Sequence, residues 1–127
     1  MNVIVTDTGF GPDDWTETAP GAALDLAPDT DPADLPARLE GVTLVRIDFP
    51  SFADGRGFTL ARALRQIGYA GRLRARGHVL ADQYAMARRA GFDEVEISAD
   101  LARRQPEDQW LARADWRAHD YQSRLRG

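Results

Sequence analysis

The sequence predicts an α/β fold: parallel βα repeats in a single domain, arranged either as a small open sheet or as half of a (β/α) barrel. Three observations predict it. From Val42 onward, β-rich runs alternate with stretches of helical period, the pattern of parallel βαβ units. Glycines stop the helical stretches at positions 41, 68 and 91, close to one βα unit per interval. The 127 residues are 43 % hydrophobic, enough for one buried core and too apolar for a disordered chain.

The elements follow in order. Asn2–Thr6 reads as a short strand. Thr8–Gly21 holds Gly9, Gly11, Pro12, Asp13, Asp14 and Pro20 and reads as turns and extended chain, so residues 1–21 form an irregular N-terminal extension. Ala22–Ala27 is a second strand candidate. Pro32–Leu39 suits one or two helical turns, with Asp31 as N-cap, Pro32 in the first helical position and Gly41 as the stop. Thr43–Phe49 (TLVRIDF) is a strand. Leu60–Ile67 is a helix, with Leu60, Leu64 and Ile67 on one stripe and Arg62, Arg65 and Gln66 turned away.

Arg72–Arg76 (RLRAR) is a strand candidate in spite of its three charges. Val79–Ala90 is a helix with Leu80, Tyr84 and Ala87 aligned, and Glu94–Ser98 (EVEIS) is a strand. Pro106–Tyr121 is a last helix, with Glu107 and Asp108 in its first turn and Trp110, Ala114, Arg117 and Tyr121 on one face. Residues 43–98 are the best-defined βα core. A half barrel would leave sheet edges open and favour a homodimer.

Composition removes several chemistries. The chain has no Cys, so it offers no disulfide, thiolate nucleophile or Cys ligand for zinc or an iron–sulfur cluster. Its two His, His78 and His119, form no metal-ligand pattern, and no metal site is expected. All 16 basic residues are Arg, which rules out a Schiff-base or P-loop Lys and leaves anions to Arg or backbone N–H groups. No apolar run approaches the ~20 residues of a membrane span. The first basic residue is Arg38, so no secretory signal is expected and the expected location is cytoplasmic. Residues 1–45 carry a net charge of −8 and residues 46–127 a net of +4. The arginines of the second half are interleaved with acids, as on solvated helix faces, so no nucleic-acid partner is expected.

In a parallel α/β fold, ligands bind at the carboxyl ends of the strands, here Pro50–Thr59, Gly77–His78 and Ala99–Gln105. The first loop is the most informative. Gly55 and Gly57 flank Arg56 just before a helix. Glycines let backbone N–H groups converge, the helix start adds positive potential, and a guanidinium forks onto an oxyanion. Asp54 either orients Arg56 or acts as an acid or base. The alternative is an ordinary turn, with Asp54 accepting backbone N–H bonds and Thr59 as N-cap. In the second loop, Arg74 and Arg76 point to one side of their strand, His78 reads as a surface residue near a helix start, and Asp82 as a carboxylate favoured by the helix dipole. Gly9-Phe10-Gly11 lacks a third glycine and a following helix, so it is no dinucleotide fingerprint; with no nicotinamide or flavin motif, no cofactor is expected. Trp15, Trp110 and Trp116 read as packing residues.

The run Phe49–Phe92 resembles a small bacterial family of unknown function whose members are labelled as oxidoreductases involved in sulfite reduction and are encoded beside assimilatory sulfite reductases. The matching marks are Asp54-Gly55-Arg56-Gly57, Leu60-Ala61-Arg62, Leu64-Arg65, Gly68-Tyr69, Gly71, Leu73-Arg74-Ala75, Gly77, Asp82-Gln83, Arg89 and Gly91-Phe92-Asp93, with Tyr121-Gln122 similar to the family's tail. The chain departs from the pattern at His78, Ala81 and Ala90, where the family carries Asp, Arg and commonly Cys. A mechanism that needs that Asp or Cys lacks its residue here.

The resemblance implies a pathway, assimilatory sulfur metabolism, but no reaction. Two-electron chemistry needs a cofactor or a redox-active residue, and this sequence carries no motif for one. Two readings follow. In one, the chain is an accessory or anion-binding component of sulfite reduction, with sulfite reductase or another sulfur-assimilation protein, a small oxyanion and a second copy as its expected partners. In the other it is a half-barrel enzyme, an oxidoreductase or an acid/base enzyme, acting on a small anionic substrate at the Asp54-Gly55-Arg56-Gly57 loop, with Asp54 or Asp82 as acid/base. The anion-binding candidates are Gly55, Arg56, Gly57, Arg74 and Gln83. A closed pocket holding Asp54, Arg56 and Asp82 would favour the enzyme; Arg56 engaged in an internal ion pair would favour the accessory role.

Overall fold

The computed structural model describes residues 2–15 and 21–117. His119, Tyr121, Gln122 and the last turn expected for the C-terminal helix lie outside the described residues.

The chain folds into one six-stranded, mixed sheet that is open and does not close into a barrel; of the two expected arrangements, the open sheet is realised. Its strands are β1 (Asn2–Thr6), β2 (Gly9–Pro12), β3 (Ala23–Leu26), β4 (Leu44–Phe49), β5 (Arg72–Gly77) and β6 (Glu94–Ser98), in the spatial order β2-β1-β6-β5-β4-β3. β3 to β6 run parallel; β1 pairs antiparallel with both β6 and β2. The helices are α1 (Leu35–Arg38), α2 (Arg56–Gln66), α3 (Tyr84–Ala90), α4 (Ala99–Arg104) and α5 (Glu107–Leu111).

Each crossover between β3 and β6 advances one strand in the same direction, so right-handed connections put their helices on one face. The core sits there. Val5, Leu26, Val45, Ile47, Phe49, Leu73, Ala75, Val95 and Ile97 meet Phe58, Leu64, Tyr84, Phe92 and Trp110 from the helical layer. The alternate residues of the same strands, Asp25, Arg46, Asp48, Arg72, Arg74, Arg76, Glu94 and Glu96, face the other way, because successive side chains alternate across a pleat.

Several elements differ from expectation. Gly9–Pro12 is a strand rather than turns; three of its four residues, Gly9, Gly11 and Pro12, lack β propensity, and it forms because the turn at Asp7–Thr8 folds it back onto β1. α2 begins at Arg56, four residues before Leu60, so Thr59 is no N-cap and Gly57 lies in the first turn. The expected helix at Val79–Ala90 opens with a 3₁₀ turn, Ala81–Gln83, and is regular only from Tyr84. Ala99–Arg104, expected as loop, is a short helix capped by the Ser98 hydroxyl, which accepts the Leu101 N–H at 3.1 Å. The last helix ends at Leu111, with turns beyond it. Asp31 caps the 3₁₀ turn Pro32–Asp34 by accepting the Ala33 N–H at 2.9 Å, as expected. Among the described residues, no helix is long and apolar enough to cross a membrane.

Candidate functional site

The strand face opposite the helices is a lattice of charge. Arg74, at its centre, is fully buried (0 % exposed). Its Nε donates to Glu94 at 2.8 Å; Nη1 donates to Glu96 and to Asp13, both at 3.0 Å, and Nη2 donates to Asp14. Arg46 donates to Asp25 at 2.6 and 2.9 Å and, across β5, to Glu96 at 3.1 Å. Arg72 donates to Glu94 at 2.9 Å and to Asp14 at 3.1 Å. The segment Asp13–Trp15 lies over this lattice, with the Trp15 ring 3.6 Å from the Arg46 guanidinium carbon, a cation–π contact. For Asp14, burial pushes the pKa up, but hydrogen bonds from Arg72 and Arg74 outweigh it and hold the carboxyl below its usual range.

Toward the carboxyl ends of the strands the lattice runs out of acceptors. Arg76 pairs with Glu96 in register and donates to it through Nε at 3.2 Å. That carboxylate already accepts from Arg46, Arg74 and Asn2. Asp48 Oδ1 stands 3.6 Å from Arg76 Nη1, within ion-pair range but beyond a hydrogen bond. Among the described residues, Arg76 is thus the one arginine of the sheet whose two terminal nitrogens make no hydrogen bond.

Next to it, Gly77 adopts φ +113°, and a Cβ there would stand 2.7 Å from the Phe49 carbonyl oxygen. Only glycine fits. The turn lets His78 address that carbonyl twice, through its backbone N at 2.9 Å and its ring Nδ1 at 3.1 Å. A carbonyl only accepts, so Nδ1 carries the hydrogen, and Nε2 of the neutral ring is a lone-pair acceptor.

Arg76 and His78 line a cleft of about 480 Å³ at the carboxyl ends of β4, β5 and β6. Its apolar wall is Phe49, Pro50, Phe52 and Leu101; its polar wall is Asn2, Asp48, Glu96, Ser98, Asp100 and Arg104. Phe52 meets the His78 ring edge-on, with centroids 5.1 Å apart. Asp100 sits between Arg103 at 3.0 Å and Arg104 at 3.2 Å.

The residues singled out by sequence do not gather there. Asp54 and Arg56 engage each other: Asp54 Oδ1 accepts the Arg56 backbone N–H at 3.1 Å, and Oδ2 accepts Arg56 Nη2 at 2.7 Å. Those bonds, the guanidinium first and the backbone second, hold the Asp54 carboxyl below its usual range. The chain's own carboxylate occupies the position an external anion would take at this helix start. Gly57 serves packing, since a Cβ there would fall 2.5 Å from the Phe49 ring; Gly55 keeps an ordinary φ of −93°. Arg74 is enclosed in the lattice. Asp82 is exposed and ion-paired with Arg113 at 2.8 Å. Gln83 closes the turn before α3: its Oε1 accepts the Leu80 N–H at 2.8 Å and its Nε2 donates to the Phe52 carbonyl at 3.4 Å. Of these candidates only Gln83 approaches the cleft, through the Phe52 backbone. The sequence pairs Arg76 with Arg74 on one side of the strand and reads His78 as a surface residue near a helix start, but the acceptor shortage that frees Arg76 depends on strand pairing. No group of three or more His, Cys, Asp or Glu able to hold a metal ion occurs among the described residues.

Residues 23–127 match the model of a family described as bacterial protein of unknown function (DUF934), and the chain belongs to that family. The match takes in β3 to β6 and α1 to α5, and leaves β1, β2 and Asp13–Trp15 outside it. No curated protein and no solved structure matches the chain significantly.

Proposed function

We propose that this member of the family is an accessory component of sulfite reduction that works by association with the reductase or with another protein of sulfur assimilation, and with a second copy of itself. The observation that carries the reading is the engagement of Arg56 by Asp54, away from Asp82 and away from the cleft. An enzyme at the glycine loop would need those three groups around one substrate. Three further points support association. The sequence supplies no Cys with which to ligate a redox cluster. The sheet ends in two edge strands, β2 and β3, and open edges invite pairing or cover. The family that the sequence resembles is encoded beside sulfite reductases.

The test is sedimentation of the purified chain at micromolar concentration, alone and with the cognate reductase. The expected results are a dimer and a co-sedimenting complex. A strict monomer that binds no reductase, yet turns over a small molecule unaided, overturns the proposal and favours the enzyme.

A further inference from the structure

We propose that the cleft at the carboxyl ends of β4, β5 and β6 binds a small, singly charged oxyanion that carries a hydrogen, held by the terminal guanidinium fork of Arg76 and by His78 Nε2. The proposal stands on local geometry and does not depend on a protein partner.

Arg76 is the starting point. On the same face of the same strand, Arg72 and Arg74 direct both of their terminal nitrogens at carboxylates. Arg76 uses only Nε, and 45 % of its side chain remains exposed to the cleft. Nη1 and Nη2 form a planar pair of donors whose spacing fits two oxygens of one oxyanion. Glu96, which holds Nε, fixes the plane of the fork, because Glu96 is itself buried (1 % exposed) and pinned from three other sides.

His78 supplies the complement. Its Nδ1–H is committed to the Phe49 carbonyl, and Nε2 has no partner among the described residues. As a lone-pair acceptor it can take the O–H of the same ligand. A fork of two donors beside one acceptor describes an anion with at least two bare oxygens and one hydroxyl, such as dihydrogen phosphate or hydrogen sulfite.

The surrounding charge sets the ligand's valence. Asp48, Glu96 and Asp100 face the cleft against Arg76 and Arg104, and this balance opposes a dianion. A monoanion meets less repulsion, and it needs only to displace Asp48 from its 3.6 Å approach to Nη1. The Phe49, Pro50, Phe52 and Leu101 wall excludes water from one side, which strengthens the charge-assisted bonds.

The experiment is a titration of the whole chain with sodium dihydrogen phosphate and, separately, sodium hydrogen sulfite, in neutral buffer at matched ionic strength, followed by backbone and imidazole NMR shifts. The expected result is saturable movement of Gly77 and His78, with dissociation constants in the millimolar range. Nitrate, with the same charge and no hydrogen, should bind more weakly. Arg76→Gln should weaken binding at least about tenfold, the worth of one or two charge-assisted bonds. His78→Phe, which keeps an aromatic ring against Phe52 and has no acceptor, should abolish the preference over nitrate, and an unchanged amide fingerprint establishes that each variant is folded. Movement centred on Gly55–Gly57, equal binding by Arg76→Gln, or no saturable movement with any of the three anions overturns the site; nitrate binding as well as dihydrogen phosphate overturns the role of His78. Anion shifts in the isolated chain decide this site and sedimentation decides the accessory reading, so each can fail while the other stands.

Discussion

The two faces of the sheet are built from alternate residues of the same strands, yet they hold together by different physics. On the helical face, Val45, Ile47, Leu73, Ala75, Val95 and Ile97 gain from being out of water whatever their neighbours' exact orientation. On the open face, Arg46, Arg72, Arg74, Glu94 and Glu96 gain only in pairs. Each charge removed from water costs several kcal/mol unless donors and acceptors meet it. The apolar face therefore degrades gradually on substitution, whereas the charged face depends on its stoichiometry. That stoichiometry is complete at Arg74 and short by one carboxylate at Arg76, and function is expected where the count fails.

The largest effects test whether the faces are independent. Phe92→Ala empties the centre of the Phe49–Phe58–Phe92 cluster, whose centroids lie 5.0 to 6.4 Å apart, and should cost about 3–5 kcal/mol in urea unfolding. Arg74→Ala should cost a similar ~3–5 kcal/mol, because it removes the buried central cation that Asp13, Asp14, Glu94 and Glu96 share. The double variant should be additive within about 0.5 kcal/mol. Arg74→Ala combined with Glu94→Ala should fall short of additivity by more than that. Coupling between Phe92 and Arg74 as strong as between Arg74 and Glu94 would refute the separation of the faces.

A smaller effect concerns the N-terminal segment, which straddles the sheet and lies outside the family match. On the helical side, Asp7 accepts from Tyr84 Oη at 2.6 Å, Arg88 at 3.2 Å and Trp116 at 3.4 Å. On the charged face, Asp14 accepts from Arg72 and Arg74. For both aspartates burial raises the pKa, but these partners more than offset it and leave the pKa below the ordinary 3.8. A carboxylate with a lowered folded pKa contributes stability above its unfolded value and loses it as the pH falls through the folded one. Stability should therefore be level above about pH 5 and decline below about pH 4. Asp7→Asn and Asp14→Asn should each flatten that decline. Tyr84 responds in the opposite direction. Burial, then the bond to Asp7, raises its pKa, so the folded state holds its proton after the unfolded state has lost it, and stability should fall above about pH 10. Tyr84→Phe should reduce the alkaline loss to the part that burial of Tyr69 contributes and leave the acid loss at Asp14 intact.

The contrast also explains what was legible in the sequence. Thr43–Phe49 and Glu94–Ser98 declared themselves by β-rich composition, and Gly68 and Gly91 marked the helix ends at positive φ. Arg72–Arg76 looked poor as a strand because three charges in five residues conflict with a core; alternation resolves this, since Leu73 and Ala75 face one layer and the arginines the other. Gly9–Pro12 was illegible because pairing rather than propensity makes it a strand. Arg65 read as a solvated residue, yet it donates to the carbonyls of Tyr69, Gly71 and Gly91 and to Asp93. The glycine–arginine–glycine loop carries a guanidinium at a helix start, but Asp54 engages it. Whether a guanidinium is free depends on what lies beside it in space, and only the register of β5 against β6 shows that Arg76 lacks what Arg56 has.

Arg76→Ala should cost less than about 1 kcal/mol, since the side chain is half-exposed and makes one hydrogen bond. The ratio of the Arg74 and Arg76 effects measures how abruptly the lattice ends. A loss at Arg76 as large as that at Arg74 would mean that Asp48 and Glu96 already satisfy the fork and that the cleft is structural.

The smallest effect separates the two guanidinium sites at the carboxyl edge. Arg56 and Arg76 both stand where a parallel sheet receives anions, but Arg56 carries its own carboxylate two residues away. In Asp54→Asn the side chain keeps its shape and loses its charge, so the Arg56 backbone N–H can retain an acceptor while the guanidinium is released. Little stability should be lost, because the pair is at the surface and α2 keeps Phe58 and Leu64 packed in the core. Anion response should change instead. In the unaltered chain, dihydrogen phosphate should move Gly77 and His78 and leave Gly55–Gly57 still. In Asp54→Asn a second, weaker set of shifts should arise at Gly55–Gly57, drawn by the freed guanidinium and the start of an 11-residue helix. The first set should be unaffected. If Gly55–Gly57 remain silent in Asp54→Asn, internal neutralisation by Asp54 does not account for the inertness of that loop, and the comparison between Arg56 and Arg76 must rest on shape rather than charge.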